Sequence, residues 1–139
     1  MTQNRFKFRV WDSALSVYIK DIDFFLNTNG ELLLPKQKDS NELKSAGCDR
    51  FIVEQCTGLS DCDGNLIYEG DIVEYEYHNY LDHFKTEIHT ISYNNLESRW
   101  KFDNTYIYFN ADVAEECRVI GNINENKNLT KKTNNITFK

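Results

Sequence analysis

The sequence predicts a mainly β protein, with an N-terminal antiparallel β part joined to a small C-terminal β-barrel. Three observations carry that reading. Aromatic residues make up 14% of the 139-residue chain, eight Tyr and nine Phe among them, against a single Pro and a single Met; such usage favours strands over helices. Apolar and polar residues alternate with period two in one stretch after another. Turn-forming Gly, Asn and Asp punctuate those stretches, most densely between Thr57 and Glu74.

Taken in order, Asn4 to Trp11 sets Phe6, Phe8 and Val10 on one face and Arg5, Lys7 and Arg9 on the other, a half-buried strand with a basic wet side. Asp12-Ser13-Ala14 is a turn, and Ser16 to Phe25 reads as a second strand. Asn27-Thr28-Asn29-Gly30 is a strong turn, because Asn and Gly tolerate positive φ. Glu31 to Leu34 gives a short return strand, stopped by Pro35. Residues 36–49 are polar and read as a loop with at most one helical turn near Asn41 to Ala46.

Arg50 to Cys56 is strand again. Thr57-Gly58, Ser60-Asp61, Asp63-Gly64-Asn65 and Glu69-Gly70-Asp71 then supply turns or bulges around a short strand at Leu66 to Tyr68. Ile72 to Tyr80 is a long strand with Val73, Tyr75 and Tyr77 facing inward. Further strands are expected from Thr86, over Arg99 to Asp103, and through Tyr106 to Phe109, the pattern of a small barrel. Ala111 to Glu116 is the best short helix, and Cys117 to Ile123 a closing strand. The resulting division is 1–56, 57–123 and a polar tail at 124–139, in which Ile136 and Phe138 alternate.

The net charge of −6 disfavours general affinity for nucleic-acid phosphates. The charge is uneven: residues 1–70 carry 8 basic and 11 acidic groups, residues 71–117 carry 3 and 10, and residues 118–139 carry 5 and 1. The acidic middle and basic tail suit a solvated surface first and a head-to-tail contact second. No apolar run reaches the roughly 20 residues that cross a bilayer, and no secretory pattern opens the chain. The expectation is a cytoplasmic protein with no membrane association. Cys48, Cys56, Cys62 and Cys117 lack Cys-x-x-Cys spacing and read as reduced thiols.

Chemistry is scarce. Asp61-Cys62-Asp63-Gly64-Asn65 faintly matches a calcium loop, but the distant bidentate Glu is out of place, and a hairpin turn explains it better. His78, His83 and His89 fit no zinc spacing. Cys56 or Cys62 beside a histidine would be raw material for a nucleophile, yet neither stands before a helix start. The six glycines form no phosphate cradle. No cofactor, metal site or catalytic residue is expected. Tyr75, Tyr77, Trp100 and Phe102 are candidates for base stacking, in a segment whose acidity opposes it.

Three motifs in fixed order carry a resemblance: Phe8-Arg-Val-Trp-Asp12; Gln55-x-Thr-Gly-Leu59 with Asp61-x-Asp-Gly-Asn-x-Ile-Tyr-Glu-Gly-Asp-Ile-Val73; and Val119-Ile-Gly-Asn-Ile-x-Glu-Asn126. Together they resemble the YopX family of phage and prophage proteins. Departures are small: Cys62-Asp63 replaces a more usual Lys-Asn, and Lys127 stands where Pro commonly follows. The resemblance implies a mostly β fold with a small SH3-like barrel beginning near Gly70-Asp71, a bacterial cytoplasm as the host compartment, and no known activity. The motif residues Trp11, Gly58, Asp63, Gly64, Gly70, Asp71, Gly121 and Asn122 are expected to be structural, with the glycines at turns or bulges and Asp71 accepting backbone hydrogen bonds.

The functional expectation is a non-enzymatic phage or prophage accessory protein acting through protein–protein interaction. The partner is another copy of itself (a homo-oligomer) or a host or phage protein. The alternative is a nucleic-acid-binding small barrel using Arg5, Lys7, Arg9, Lys131 and Lys132 on phosphates. A thiol–histidine enzyme ranks third.

Overall fold

The computed structural model describes residues 3–20, 22–37, 40–47, 49–81 and 83–129. Two compact units divide the chain: residues 9–54 form one, and the flanking residues, up to Phe8 and from Gln55 on, form the other. The sequence expectations for Ile136, Phe138, Lys131, Lys132 and Cys48 lie outside the described residues. The mainly β, antiparallel character expected from the alternation is what the structure has.

In the unit of residues 9–54, strand β1 (Phe8–Asp12) pairs with β2 (Val17–Tyr18) in the register Trp11↔Tyr18 and Asp12↔Val17. The strand starts later than the alternation suggests, because Asn4–Phe6 closes into a 3₁₀ turn, with the Lys7 N–H on the Asn4 carbonyl. Phe6 is consequently 60% exposed, whereas Val10, Trp11 and Asp12 are all buried. Between β1 and β2 the Asp12 carboxylate accepts the N–H groups of Ala14 and Leu15.

The single strand expected over Ser16 to Phe25 is instead two short ones, β2 and β3 (Phe25–Leu26). Lys20, Ile22 and Asp23 between them are all exposed, so no apolar face continues there. The Asn27–Gly30 turn forms as expected: the Asn27 side chain accepts the N–H groups of Asn29 and Glu31, and Gly30 takes φ +79°. Strand β4 (Leu32–Pro35) follows and pairs with β3.

The expected loop also needs correcting, since Leu43–Ser45 forms β5, antiparallel to β4, in place of a helical turn. All three β5 residues are exposed, so the strand is made by backbone pairing to β4 with no buried side chain to mark it.

Strand β6 (Phe51–Ser60) runs out of this unit into the second. There it pairs with β7 (Leu66–Tyr68), and the chain continues through β8 (Asp71–His78), β9 (Phe84–Asn94), β10 (Arg99–Phe102), helix α1 (Ala111–Glu115) and β11 (Cys117–Asn122). The second sheet has the order β10-β9-β8-β11, antiparallel throughout, and curls as a half-barrel. Its core is Ile67, Val73, Ile91, Phe102, Phe109, Ala114 and Cys117, with Leu59, Tyr75, Trp100, Val113 and Val119 packed against it. Each fully buried Ile, Val or Phe contributes about 1.5–3 kcal/mol relative to exposure. Val73 faces inward as the alternation requires, but Ile72 is equally buried, so β8 begins with both faces covered.

The expected strand at Tyr106 to Phe109 is reduced to one bridge, Lys101↔Tyr108. The Phe102 N–H donates to the Ile107 carbonyl and the Phe109 N–H to the Trp100 carbonyl. This segment therefore covers the outer edge of β10, a place where unpaired backbone invites association. Helix α1 is capped by Asn110, whose side chain accepts the Val113 N–H, and carries Asp112 in its first turn.

Candidate functional site

The residues singled out in the sequence gather around the turns between β6 and β8 and around the end of β11. Asp61 is the centre. Its side chain accepts the N–H groups of Asp63 (3.0 Å) and Asn65 (2.8 Å) through Oδ1, and the N–H of Val119 (2.9 Å) through Oδ2. Burial raises the carboxyl pKa, but the amide donors from Val119, Asn65 and Asp63 outweigh it and hold the group below its ordinary value. The same turn docks on β11 through the Cys62 N–H on the Cys117 carbonyl, so it covers that edge of the sheet. Gly64 closes the turn at φ +84°, where an L side chain is strained. Asp63 reaches only Arg118 (3.0 Å), at an exposed position.

Upstream, β6 and β7 pair at Cys56↔Tyr68 and Ser60↔Leu66, with a register shift between. Gly58 forms that bulge at φ +84°, and a Cβ on it would lie 3.2 Å from Cβ of Arg5. The Thr57 hydroxyl donates to the Ile67 carbonyl and accepts the Leu59 N–H, which keeps the bulge satisfied. Downstream, the Gly70 N–H donates to Ile91 and its carbonyl accepts from Ile123, while buried Asp71 accepts the Tyr68 N–H at 2.7 Å.

The end of β11 is a second lock. The Asn122 side chain accepts the N–H groups of Asn124 and Glu125, and Asn126 Oδ1 accepts the Asn122 N–H. A Cβ on Gly121 would stand 2.6 Å from that Asn126 oxygen, closer than side chains approach. A side chain at 121 would therefore have to displace the Asn126 amide that holds the Asn122 N–H.

In the unit of residues 9–54, Trp11 packs edge-on against Tyr18 with ring centroids 5.0 Å apart. Asp12 meets Arg50 in a two-pronged pair at 2.8 Å on both oxygens, and that hydrogen bonding holds its carboxyl at about 2. Buried Glu54 takes Arg9 (2.9 Å) and the Tyr18 hydroxyl (2.8 Å).

No group of three or more His, Cys, Asp or Glu suited to a metal ion occurs among the described residues. Cys56 and Cys117 are buried, and burial pushes Cys117 up to about 12, whereas Cys62 is exposed. His89 places Nε2 2.7 Å from Glu87 and stacks its ring on Phe102 at 4.3 Å. Of the aromatics proposed for base stacking, Phe102 is fully buried, Tyr75 stacks on Tyr77, and Trp100 sits edge-on to Tyr93. A shallow cleft of ≈ 300 Å³ beside β8 is lined by four glutamates (Glu74, Glu76, Glu115 and Glu116) against one arginine, Arg118, an acidic excess that disfavours phosphate, and Cys62 and His78 both border it.

Asp61 and Asn126 lie inside the sequence motifs but carry no individual role in the sequence reading, and Glu54 is not singled out there at all. Asp61 was legible in principle, since Asp-x-Asp-Gly-Asn is the pattern of a side chain capping its own turn. Its bond to Val119, 58 positions on, was not.

The comparisons agree with this frame. No curated protein matches the chain. A crystal structure of protein EF1440 from Enterococcus faecalis matches with a TM-score of 0.58 at 24% identity, covering 88% of this chain and 96% of that one. At that identity the likeness concerns the fold alone. The family model described as YopX protein matches residues 7–131, which includes all three motifs and both hydrogen-bonded locks. The chain belongs to the YopX family.

Proposed function

We propose that the protein is a non-enzymatic phage or prophage accessory protein of the bacterial cytoplasm that works by contact with other protein chains, including its own. One observation carries this reading. The polar signature groups are consumed in holding turns, while large apolar side chains stand in water at the tip of the β8–β9 hairpin: Tyr80 is 94% exposed, Phe84 68% and Leu81 59%. Apolar clusters of that kind mark contact surfaces. The nucleic-acid reading is weaker, because Arg9 is engaged by Glu54 and the central sheet carries acidic side chains.

The test combines a pull-down from lysogenic cells, read by mass spectrometry, with light scattering over a wide concentration range. The expected result is a specific co-purifying protein or concentration-dependent self-association. A monomer at every concentration that enriches nothing over a Tyr80→Ser/Leu81→Ser/Phe84→Ser control refutes the reading. Binding to oligonucleotides at low salt would favour the alternative.

A further inference from the structure

We propose that two copies of the chain pair antiparallel through the open edge of β9 between Phe84 and Ile88. The inference rests on the protein–protein reading above and names its interface. In the sheet β10-β9-β8-β11, β10 pairs with β9 only over Ile91–Asn94, whereas β8 pairs with it from Thr90 down to Phe84. The Asp103 N–H donates to the Thr90 carbonyl, and below that point no strand among the described residues pairs with the β10 side of β9. The backbone parity follows from the neighbouring bonds. Thr90 presents its carbonyl toward β10, and Ile91 presents its carbonyl to Gly70 on the β8 side. Alternation then turns the N–H and C=O of Phe84, Thr86 and Ile88 outward.

The edge is self-complementary. A two-fold axis through Thr86 sets Thr86 opposite its own copy, Phe84 opposite Ile88, and Lys85 opposite Glu87. The outward groups of residues 84, 86 and 88 then form the hydrogen-bonded pairs. The Lys85–Glu87 pairs fall at the close, non-hydrogen-bonded positions, where opposite charges directly across stabilise. A lysine on an open edge ordinarily deters pairing, but here each Lys85 faces the other copy's Glu87, whose carboxylate is already held in place by the Tyr77 hydroxyl and His89. Phe84, Lys85 and Thr86 are all exposed, so no side chain has to move out of the core. A five-residue strand pair is far smaller than a standard interface of about 1,600 Å². The association is therefore concentration-dependent and weaker than about micromolar.

Sedimentation of the full chain at low salt, across a broad concentration range, tests this. The wild type is expected to dimerise. Thr86→Pro removes one outward donor without touching the β8 ladder and should abolish the dimer with unchanged circular dichroism. Lys85→Glu faces a carboxylate with Glu87 of the second copy and should weaken the dimer at least tenfold, the gap narrowing with added salt. Thr86→Cys should form a covalent dimer on mild oxidation, since facing Cα atoms about 5.5 Å apart suit a disulfide. A wild type that dimerises while all three variants behave like it overturns the β9 interface and leaves self-association standing. A wild type that stays monomeric throughout overturns both.

Discussion

Replacing Asp61 by Ala removes one carboxylate that joins two distant pieces of chain. Three amides lose their acceptor: Asp63, Asn65 and Val119. The first two lie in an exposed turn where water takes over, so together they cost about 1 kcal/mol, while the strand amide of Val119 costs about 2. Relief of the buried charge offsets part of this, leaving about 2–3 kcal/mol and a melting-temperature drop of about 10 °C. Asp63→Ala, which loses only an exposed pair with Arg118, should cost under about 1 kcal/mol. Urea unfolding followed by Trp fluorescence measures both. The pH dependence has a definite sign. The Asp61 carboxyl is lowered in the folded state, so its stabilisation is complete above the ordinary value near 3.8 and is lost as pH falls below it. The difference between wild type and variant should shrink on acidification through that range. Equal losses for Asp61→Ala and Asp63→Ala, or a difference constant from pH 7 to 2, would refute the lock.

Gly121→Ala should cost about 1–3 kcal/mol, because its Cβ meets Asn126 Oδ1; adding Asn126→Ala should recover part of the clash, as a double-mutant cycle will show. Asp12 should titrate at about 2 by NMR, and Arg50→Gln should raise that value, since the Arg50 hydrogen bonds are the main cause of the shift. Alkylation of the native protein at pH 8 should modify Cys62 and spare Cys56 and Cys117, as peptide mapping will reveal; labelling of Cys117 without unfolding would contradict its burial and its pKa of about 12.

Local order in the sequence was enough for some elements and insufficient for others, for reasons that differ residue by residue. The Asn27–Gly30 and Asp63–Asn65 turns, the Ala111 helix and the alternating β8 and β9 were legible, because each depends on neighbours within a few positions. Strand β5 was not, as all its side chains face water and only pairing with β4 makes it a strand. Tyr106 to Phe109 failed the other way: its alternation is strand-like, yet a single bridge to Lys101 is all it makes.

By itself, then, the sequence determined the β class, the positions needing glycine and the family to which the motifs belong. All three rest on period-two alternation and on backbone conformations that few residues tolerate. The tertiary structure decided what the motif residues are for. Asp61 holds Val119, Gly121 admits Asn126, and the expected basic face is partly neutralised by Glu54. It also decided how the sheet edges are covered among the described residues. The Asp61–Cys62 turn and the 105–109 segment cover two edges, and β9 outruns β10 at the third. Hydrogen bonds across 45 or 58 positions leave no periodic trace, because their geometry depends on how the intervening chain folds back and not on any neighbour in sequence.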